Sequence, residues 1–533
     1  MPVSVSSMRR LNEVLARHWA IALVLMLAAA VRVVAAIAYR PAIFFGDSWA
    51  YLDLAYRGDP VGFAPDRPSG YPLLIDLLSV AGRSLAAITT AQHLAGLAVG
   101  VLVYLLSTRI GLPRIVGAAA AALVLLDSYA IALEQQILAE AFFTLALVAS
   151  LYLVVGRDRG TGALAASGAL LAAAVTIRTA ALFAVPVWAA YVLWQHRRAR
   201  PVVAALIGLA LPLAAYMGLH AAETGRAGLT EADGWFLYGR VAPIADCRGA
   251  DIPADARPLC NRTPRDRREG AAFHIWNADG PARRNFGPMS TDPAVQDRSN
   301  HILRSFAMAI IRDRPGEYAE LVGDDFLRYF RPGEMSRGNS DLALTFPEHG
   351  RLVRRNAEAR DRWFPGYTAE VHPPSGFVRS YQERFHAPRR LLGLLGLAGL
   401  ISLLAGAVSA AMGRGGFARR REVFLLTGAG LAMLLGTAAT SEFVLRYLIP
   451  AVPLLVCGGL AGAADLLAAL GRLRAQRGSK NISAPTRIMP AAIQRRVLGV
   501  SFTNKISTPV TNSGKPTPMP RPAARGPDRS GNR

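Results

Sequence analysis

The sequence predicts an all-α, polytopic membrane protein of about ten transmembrane helices with one mixed extracytoplasmic segment. Three observations lead there. Hydrophobic residues make up 52% of 533 positions and the mean hydropathy is +0.27, too apolar for a soluble chain of several domains. Apolar runs near the length that crosses ~30 Å of hydrocarbon recur along the sequence. Arginine clusters fall in alternate short loops, as the positive-inside rule requires.

The apolar runs lie at about 20–38, 85–106, 115–131, 135–155, 161–177, 180–194, 202–220, 391–412, 423–440 and 443–466. The first has an Ala-rich end like a signal peptide, but Arg32 is embedded in it and many spans follow, so it reads as an uncleaved anchor. Arg32 is expected to snorkel to a headgroup. The third and fourth runs form a tight hairpin, broken only between Asp127 and Glu134; Arg178 alone interrupts the fifth and sixth. Arg9, Arg10 and Arg17, then Arg109 and Arg114, Arg157 and Arg159, Arg197, Arg198 and Arg200, and Arg414, Arg419, Arg420 and Arg421 mark the cytoplasmic loops. Arg178 and Arg446 lie on the opposite face, where orientation gives no reason for them.

Residues 1–220 thus form an N-terminal membrane domain with a first external loop at 39–84. Residues 221–388 form a polar extracytoplasmic segment, too long for the charge rule to oppose its export. Helical spacing appears in it at 302–311 and 317–330, with Pro315 opening the second stretch. Residues 389–470 return to the membrane. From 471 to 533 the composition is Ser, Thr, Asn, Pro and scattered basic residues, which predicts a disordered cytoplasmic tail. Cys247 and Cys260, close together outside the cytoplasm, read as a disulfide worth about 3 kcal/mol by loop closure, two unpaired thiols being the alternative. Cys457, in the last span, reads as packing. The triplet Asn261-Arg262-Thr263 fits a glycosylation sequon, a pattern common by chance.

A net charge of +23 and a pI near 10.8 would suggest nucleic acid, yet Lys480, Lys505 and Lys515 are the lysines of the chain and no nucleic-acid-binding motif accompanies the arginines. No partner of that kind is expected. A Walker A loop, HExxH, GxSxG and zinc-spaced Cys or His pairs are all missing, which removes ATP-driven and common hydrolytic chemistries. The external histidines His274, His301, His349, His372 and His386 are scattered and read as structural or surface residues.

What remains is a set of charges near one membrane face. Asp47 sits in the first external loop, where a positioned carboxylate could take a proton from an attacking hydroxyl; as the residue before 49–56 it could instead cap a helix. Asp53 points to another helical face and reads as solvated. Glu140, about a turn and a half inside the fourth span, is costly there unless paired or functional. A structural pair with Arg178 would meet that need. Arg178 and Arg446 could together hold a phosphate at headgroup depth through guanidinium forks. Arg67 and Tyr71 would line a cavity rim or anchor the interface. Asp127 and Glu134 read as loop residues.

These residues stand in a recognisable order. Asp47 with Tyr51, then Arg67-Pro68-Ser69-Gly70-Tyr71-Pro72, Leu138-Ala139-Glu140-Ala141-Phe142-Phe143, Ile177-Arg178-Thr179 and Arg446-Tyr447-Leu448-Ile449-Pro450 together resemble the GT-C membrane glycosyltransferases that use polyprenyl-phosphate sugars, such as protein O-mannosyltransferases and aminoarabinose transferases. Ser48 stands where that family often has a second acid, which counts against a paired-acid or metal site there. The resemblance implies a transferase moving a sugar from a polyprenyl-phosphate donor to an extracytoplasmic glycan, lipid or protein in the cell membrane. Asp47 would be the base, Arg178 and Arg446 the phosphate ligands, and Arg67, Tyr71, Glu140 and Tyr447 the cavity. No metal ligand set is assigned, and assistance by a divalent metal stays open. Two other readings fit some of the same charges: a transporter or flippase for a lipid-linked saccharide, and a non-catalytic envelope assembly factor. The first predicts repeats or mid-membrane broken helices.

Overall fold

Each apolar run of the sequence is mostly helical in the computed structural model, which describes residues 5–482 except 58–62, 157–158, 262, 335, 337–343, 350–360, 368–369 and 414, with side chains from 16 to 475. The expectations for Arg157, Arg262, Arg414 and the tail beyond 482 lie outside the described residues, and those for Arg9, Arg10 and Lys480 outside the described side chains. Met1–Leu473 forms one unit and Arg474–Arg533 a second. The last helix, Val452–Ile482, runs on where a disordered tail was expected from 471.

Among the described residues six helices are long and apolar enough to cross a membrane: Ala16–Ala38, Leu85–Arg109, Ala199–Thr224, Arg389–Ala411, Arg420–Thr440 and Leu445–Ala475. The protein is therefore a multi-pass membrane protein, all-helical and without a strand among the described residues. The expected ten spans are not all full-length. The bent pair Arg114–Leu125 and Ser128–Glu134, which meet at 54°, has the make-up of a broken span or a re-entrant loop, and Glu140–Val154, Thr161–Ile177 and Thr179–Gln195 are shorter. Gln136-Ile137-Leu138 interrupts a run that reads as continuous from 135 to 155, whereas the stop at Arg178 falls where the sequence divides the fifth and sixth runs. Arg178 itself has extended backbone (φ −149°, ψ 126°).

The bend needs polar partners, because backbone groups freed at membrane depth find no water. Arg32 supplies them. Its Nε and Nη2 fork onto the Glu134 carboxylate at 2.7 and 2.8 Å, and its Nη1 donates to the Leu125 carbonyl at 2.8 Å. His93 bridges Glu134 (2.8 Å) and Gln135 (2.7 Å), and Gln92 Nε2 donates to the carbonyls of Glu134 and Gln136. Asp127 caps the second half of the bend by accepting from the Tyr129 N–H at 3.0 Å. Three expectations are corrected here. Arg32 does not snorkel, Glu134 is helical and buried rather than in a loop, and Asp127, though between two helices, is buried; the break in the helix is the physical reason for all three. Gly96 makes the room, since a Cβ there would sit 1.9 Å from Glu134 Oε1.

Glycine also permits a close helix crossing. A Cβ on Gly168 would meet the Ala205 carbonyl at 2.2 Å, and one on Gly208 the Ala165 carbonyl at 2.1 Å, so Thr161–Ile177 and Ala199–Thr224 touch backbone to backbone. The 221–388 segment has its own apolar core around Trp235, Tyr238, Leu303 and Phe306. Its helices Pro293–Asp313 and Pro315–Arg328 contain the two stretches of helical spacing seen in the sequence. Cys247 and Cys260 are joined as a disulfide.

Candidate functional site

The first external loop is pinned before it reaches Asp47. Ile43 N donates to the Gln135 carbonyl at 2.9 Å, tying the loop to the backbone just ahead of Glu140. Phe45 N then donates to Ser48 Oγ at 2.9 Å, closing the turn into the helix Ser48–Tyr56. Asp47 occupies the cap position of that helix but makes no side-chain cap. Its carboxylate turns instead to arginines: Oδ2 lies 2.8 Å from Arg446 Nη2, and Oδ1 lies 3.6 Å from Arg67 Nη1.

Glu140 is the first residue of the helix Glu140–Val154, not a residue within a longer span, because the chain ahead of it is not helical. A carboxylate at a helix start is favoured by the free N–H groups there. Its Oε1 lies 2.5 Å from Arg178 Nη1 and 3.8 Å from Arg446 Nε. Arg178 comes from the break after Thr161–Ile177, and Arg446 from the 3-10 turn Leu445–Ala451. Four interruptions of regular structure thus deliver Asp47, Glu140, Arg178 and Arg446 to one place. All four residues came from the sequence, as did the pairing of Glu140 with Arg178; the pairing of Asp47 with Arg446 did not.

Aromatic rings support each guanidinium. Arg178 lies over Tyr447 at 5.2 Å, Arg446 lies 5.3 Å from Phe45 and 5.6 Å from Tyr447, and Arg67 lies over Tyr51 at 5.1 Å. Flat cations held on ring faces keep their N–H edges directed outward. Tyr71 is placed differently from the rim position expected. It is fully buried, edge-on to Tyr51 at 4.8 Å, with its hydroxyl donating to Gln92 Oε1 at 2.6 Å. Asp66 was missed: it takes the Arg67 fork through Nη2 (2.6 Å) and Nε (3.1 Å). Its adjacency to Arg67 carried no signal, since neighbours in sequence rarely face each other. Phe45 and Tyr51 were likewise legible only as motif residues.

Asp53 is corrected too. It is 3% exposed, not solvated, and is paired with Arg57 and with Arg362 at 3.1 Å. The helix Ser48–Tyr56 lies under the segment that carries Arg362, which the sequence did not foretell.

Three carboxylates, Asp47, Asp66 and Glu140, therefore face three guanidiniums, Arg67, Arg178 and Arg446. Burial alone would raise the Asp47 carboxyl, but Arg446 and Arg67, with Arg178 further off, outweigh it and hold the group well below the usual carboxylate range. The pairing is incomplete on the cationic side. Among the described residues Arg446 Nε and Nη1 and Glu140 Oε2 are buried with no hydrogen-bond partner. A buried donor of that kind is expensive, and an added anion would relieve it. Also among the described residues, no group of three or more His, Cys, Asp or Glu side chains could hold a metal ion.

No family model matches the chain, and no curated protein matches it. Its structure has distant likenesses among solved structures. One is the archaeal oligosaccharyltransferase AglB from Archaeoglobus fulgidus, in complex with an inhibitory peptide and a dolichol-phosphate: TM-score 0.34, 14% identity, 88% of this chain and 52% of that one. This chain thus spans about half the length of that protein. Another is ArnT from Cupriavidus metallidurans bound to undecaprenyl phosphate: TM-score 0.30, 15% identity, 83% of this chain and 77% of that one. Likeness of this degree decides nothing about donor, acceptor or site residues.

Proposed function

We propose that the chain is a membrane glycosyltransferase that moves a sugar from a polyprenyl-phosphate donor to a hydroxyl acceptor outside the cytoplasm. The observation that carries this reading is Arg446: a buried guanidinium on the membrane face that orientation leaves unexplained, close to Arg178, with two nitrogens unpartnered among the described residues. The phosphodiester of such a donor fits this fork, as does the monoester left when the sugar departs, and its lipid tail would stay among the apolar helices.

The chemistry follows from the charges. The acceptor oxygen attacks the anomeric carbon, the bond from that carbon to the phosphate oxygen breaks, and its electron pair leaves on the phosphate. Arg446 and Arg178 stabilise the charge that grows there. The acceptor proton passes to Asp47, and the leaving phosphate needs none.

A carboxylate held well below its usual range is a poor base, and this fits the scheme in one way. Donor phosphate and Asp47 compete for Arg446. Once phosphate engages the guanidinium, Asp47 loses its closest cation and its basicity rises towards the ordinary value. The base would be released only when a donor is present. Release of polyprenyl phosphate from a panel of polyprenyl-phosphate sugars, by the purified protein supplied with hydroxyl acceptors, tests the reading. No release from any donor, with transport of a lipid-linked saccharide in sealed vesicles instead, would replace it.

A further inference from the structure

Ahead of Arg446 the chain is extended rather than helical, with φ −135° at Ser441 and φ −128°, ψ 114° at Val444. The N–H groups of Phe443 and Leu445 find their acceptors in the 221–388 segment rather than in a helix. Asp325 Oδ2 accepts from Phe443 N at 3.1 Å, and Ser336 Oγ accepts from Leu445 N at 2.8 Å. Asp325 is fixed in turn by Arg240 Nη1 at 2.5 Å and Arg328 Nη1 at 3.3 Å. The Phe443 ring is clasped by Tyr329, edge-on at 4.9 Å, and by Arg328 at 4.6 Å. Arg240, Asp325 and Phe443 are 3%, 7% and 1% exposed, so this is an interior joint and not a surface ion pair. The residue after Leu445 is Arg446.

We propose that Asp325, together with Ser336, is a positioning residue for Arg446: the extracytoplasmic segment sets the backbone of 443–445 and through it the point at which the guanidinium meets the donor phosphate. The inference rests on the reading of Arg446 as a phosphate ligand. Among the described residues Asp325 makes its hydrogen bonds to Arg240, Arg328 and the Phe443 backbone, and none to Arg446. Its influence runs through the three peptide units from Phe443 to Arg446. A bidentate phosphate contact tolerates little displacement, so a ligand on an irregular turn depends on whatever holds that turn. The same joint gives the external segment a mechanical hold on the membrane site.

The test uses the full-length protein and undecaprenyl phosphate as the probe, with affinity read by native mass spectrometry. Asp325→Asn and Ser336→Ala are each expected to weaken binding about tenfold, and Arg446→Ala to weaken it further. The double variant Asp325→Asn, Arg446→Ala should bind no more weakly than Arg446→Ala alone, because the first residue acts only through the second. General loosening of the fold would instead lower affinity in both backgrounds. Unchanged affinity in Asp325→Asn, or losses that add in the double variant, overturns the proposal. Where Asp325→Asn does not fold, Ser336→Ala carried through the same cycle decides between the same two outcomes. Wild-type protein that does not bind the probe, or Arg446→Ala that binds it normally, removes the phosphate reading and the positioning role with it. A normal cycle at Asp325 beside a weakened Arg446→Ala removes the positioning role alone.

Discussion

Asp47 and Arg446 hold each other at 2.8 Å, and this makes their variants behave oppositely. Asp47→Asn keeps the shape but cannot take a proton, so turnover should fall by roughly 10²–10⁴-fold. Binding of undecaprenyl phosphate should stay level or tighten, since the carboxylate that competes for Arg446 is gone. Asp76→Asn, exposed on another helix, should leave both unchanged. Asp53 lies nearer in sequence but is unsuitable as a control, because its pairing with Arg57 and Arg362 makes it structural. Arg446→Ala and Arg178→Ala should weaken the donor, with Lys restoring only part because a point charge cannot make the bidentate contact. The pH dependence has a definite sign. In free protein the arginines hold Asp47 below the usual carboxylate range, so the acid limb of kcat/KM, which reports the free enzyme, should lie lower than that of kcat, which reports the loaded one. Limbs that coincide would mean that the donor does not draw Arg446 away.

Elements explain which of these features the sequence could convey. Helices were legible because apolar runs are long and repeated, and the two deviant arginines stood out because orientation did not account for them. The break at Arg178 was legible, since that arginine divides the fifth and sixth runs and the helix stops at Ile177. The break at 135–139 was not: the fourth run reads as one helix from Gln135, yet the helix starts only at Glu140, beside Arg178. Arg32 was misread for a related reason: a lone arginine in a span normally reaches for water, and only a bend some 93 residues away in the chain gives it a carbonyl and a carboxylate inside. Gly96→Ala tests that polar joint. Its methyl would collide with Glu134 Oε1, and the destabilisation should be about 1–3 kcal/mol, measured as a lower unfolding temperature in detergent. A silent substitution would mean that Glu134 can leave Arg32 at no cost. The external segment carries its own pH response. Burial pushes the His274 imidazole down to about 4, against an ordinary ~6.5, so the unfolded segment binds that proton first. Stability should be complete above about 6.5 and drain away as the pH falls towards 4, then level off. His274→Phe should flatten that limb in thermal unfolding followed from about pH 7.5 to 4.5.

At the scale of the whole molecule, orientation in the bilayer ties the site to its chemistry. A polyprenyl-phosphate donor used outside the cytoplasm requires the Asp47 loop and the 221–388 segment to share that side. The charges predict it: Arg109 and Arg114, Arg197, Arg198 and Arg200, and Arg419, Arg420 and Arg421 occupy the opposite loops, where the positive-inside rule places them in the cytoplasm. The disulfide between Cys247 and Cys260 agrees, since thiols kept in a reducing compartment seldom pair. The connections from Asp325 to Phe443 and from Ser336 to Leu445 then join an external segment to the external end of a span, with no strand of chain left to cross. Thr345→Cys, placed in that segment, should react in intact cells with a maleimide that does not cross the membrane, while Arg198→Cys should react only after the membrane is opened. Labelling in the reverse order would put Arg178 and Arg446 on the cytoplasmic face. There the positive-inside rule would explain them without any phosphate, and the main reason for reading this chain as a transferase would be lost.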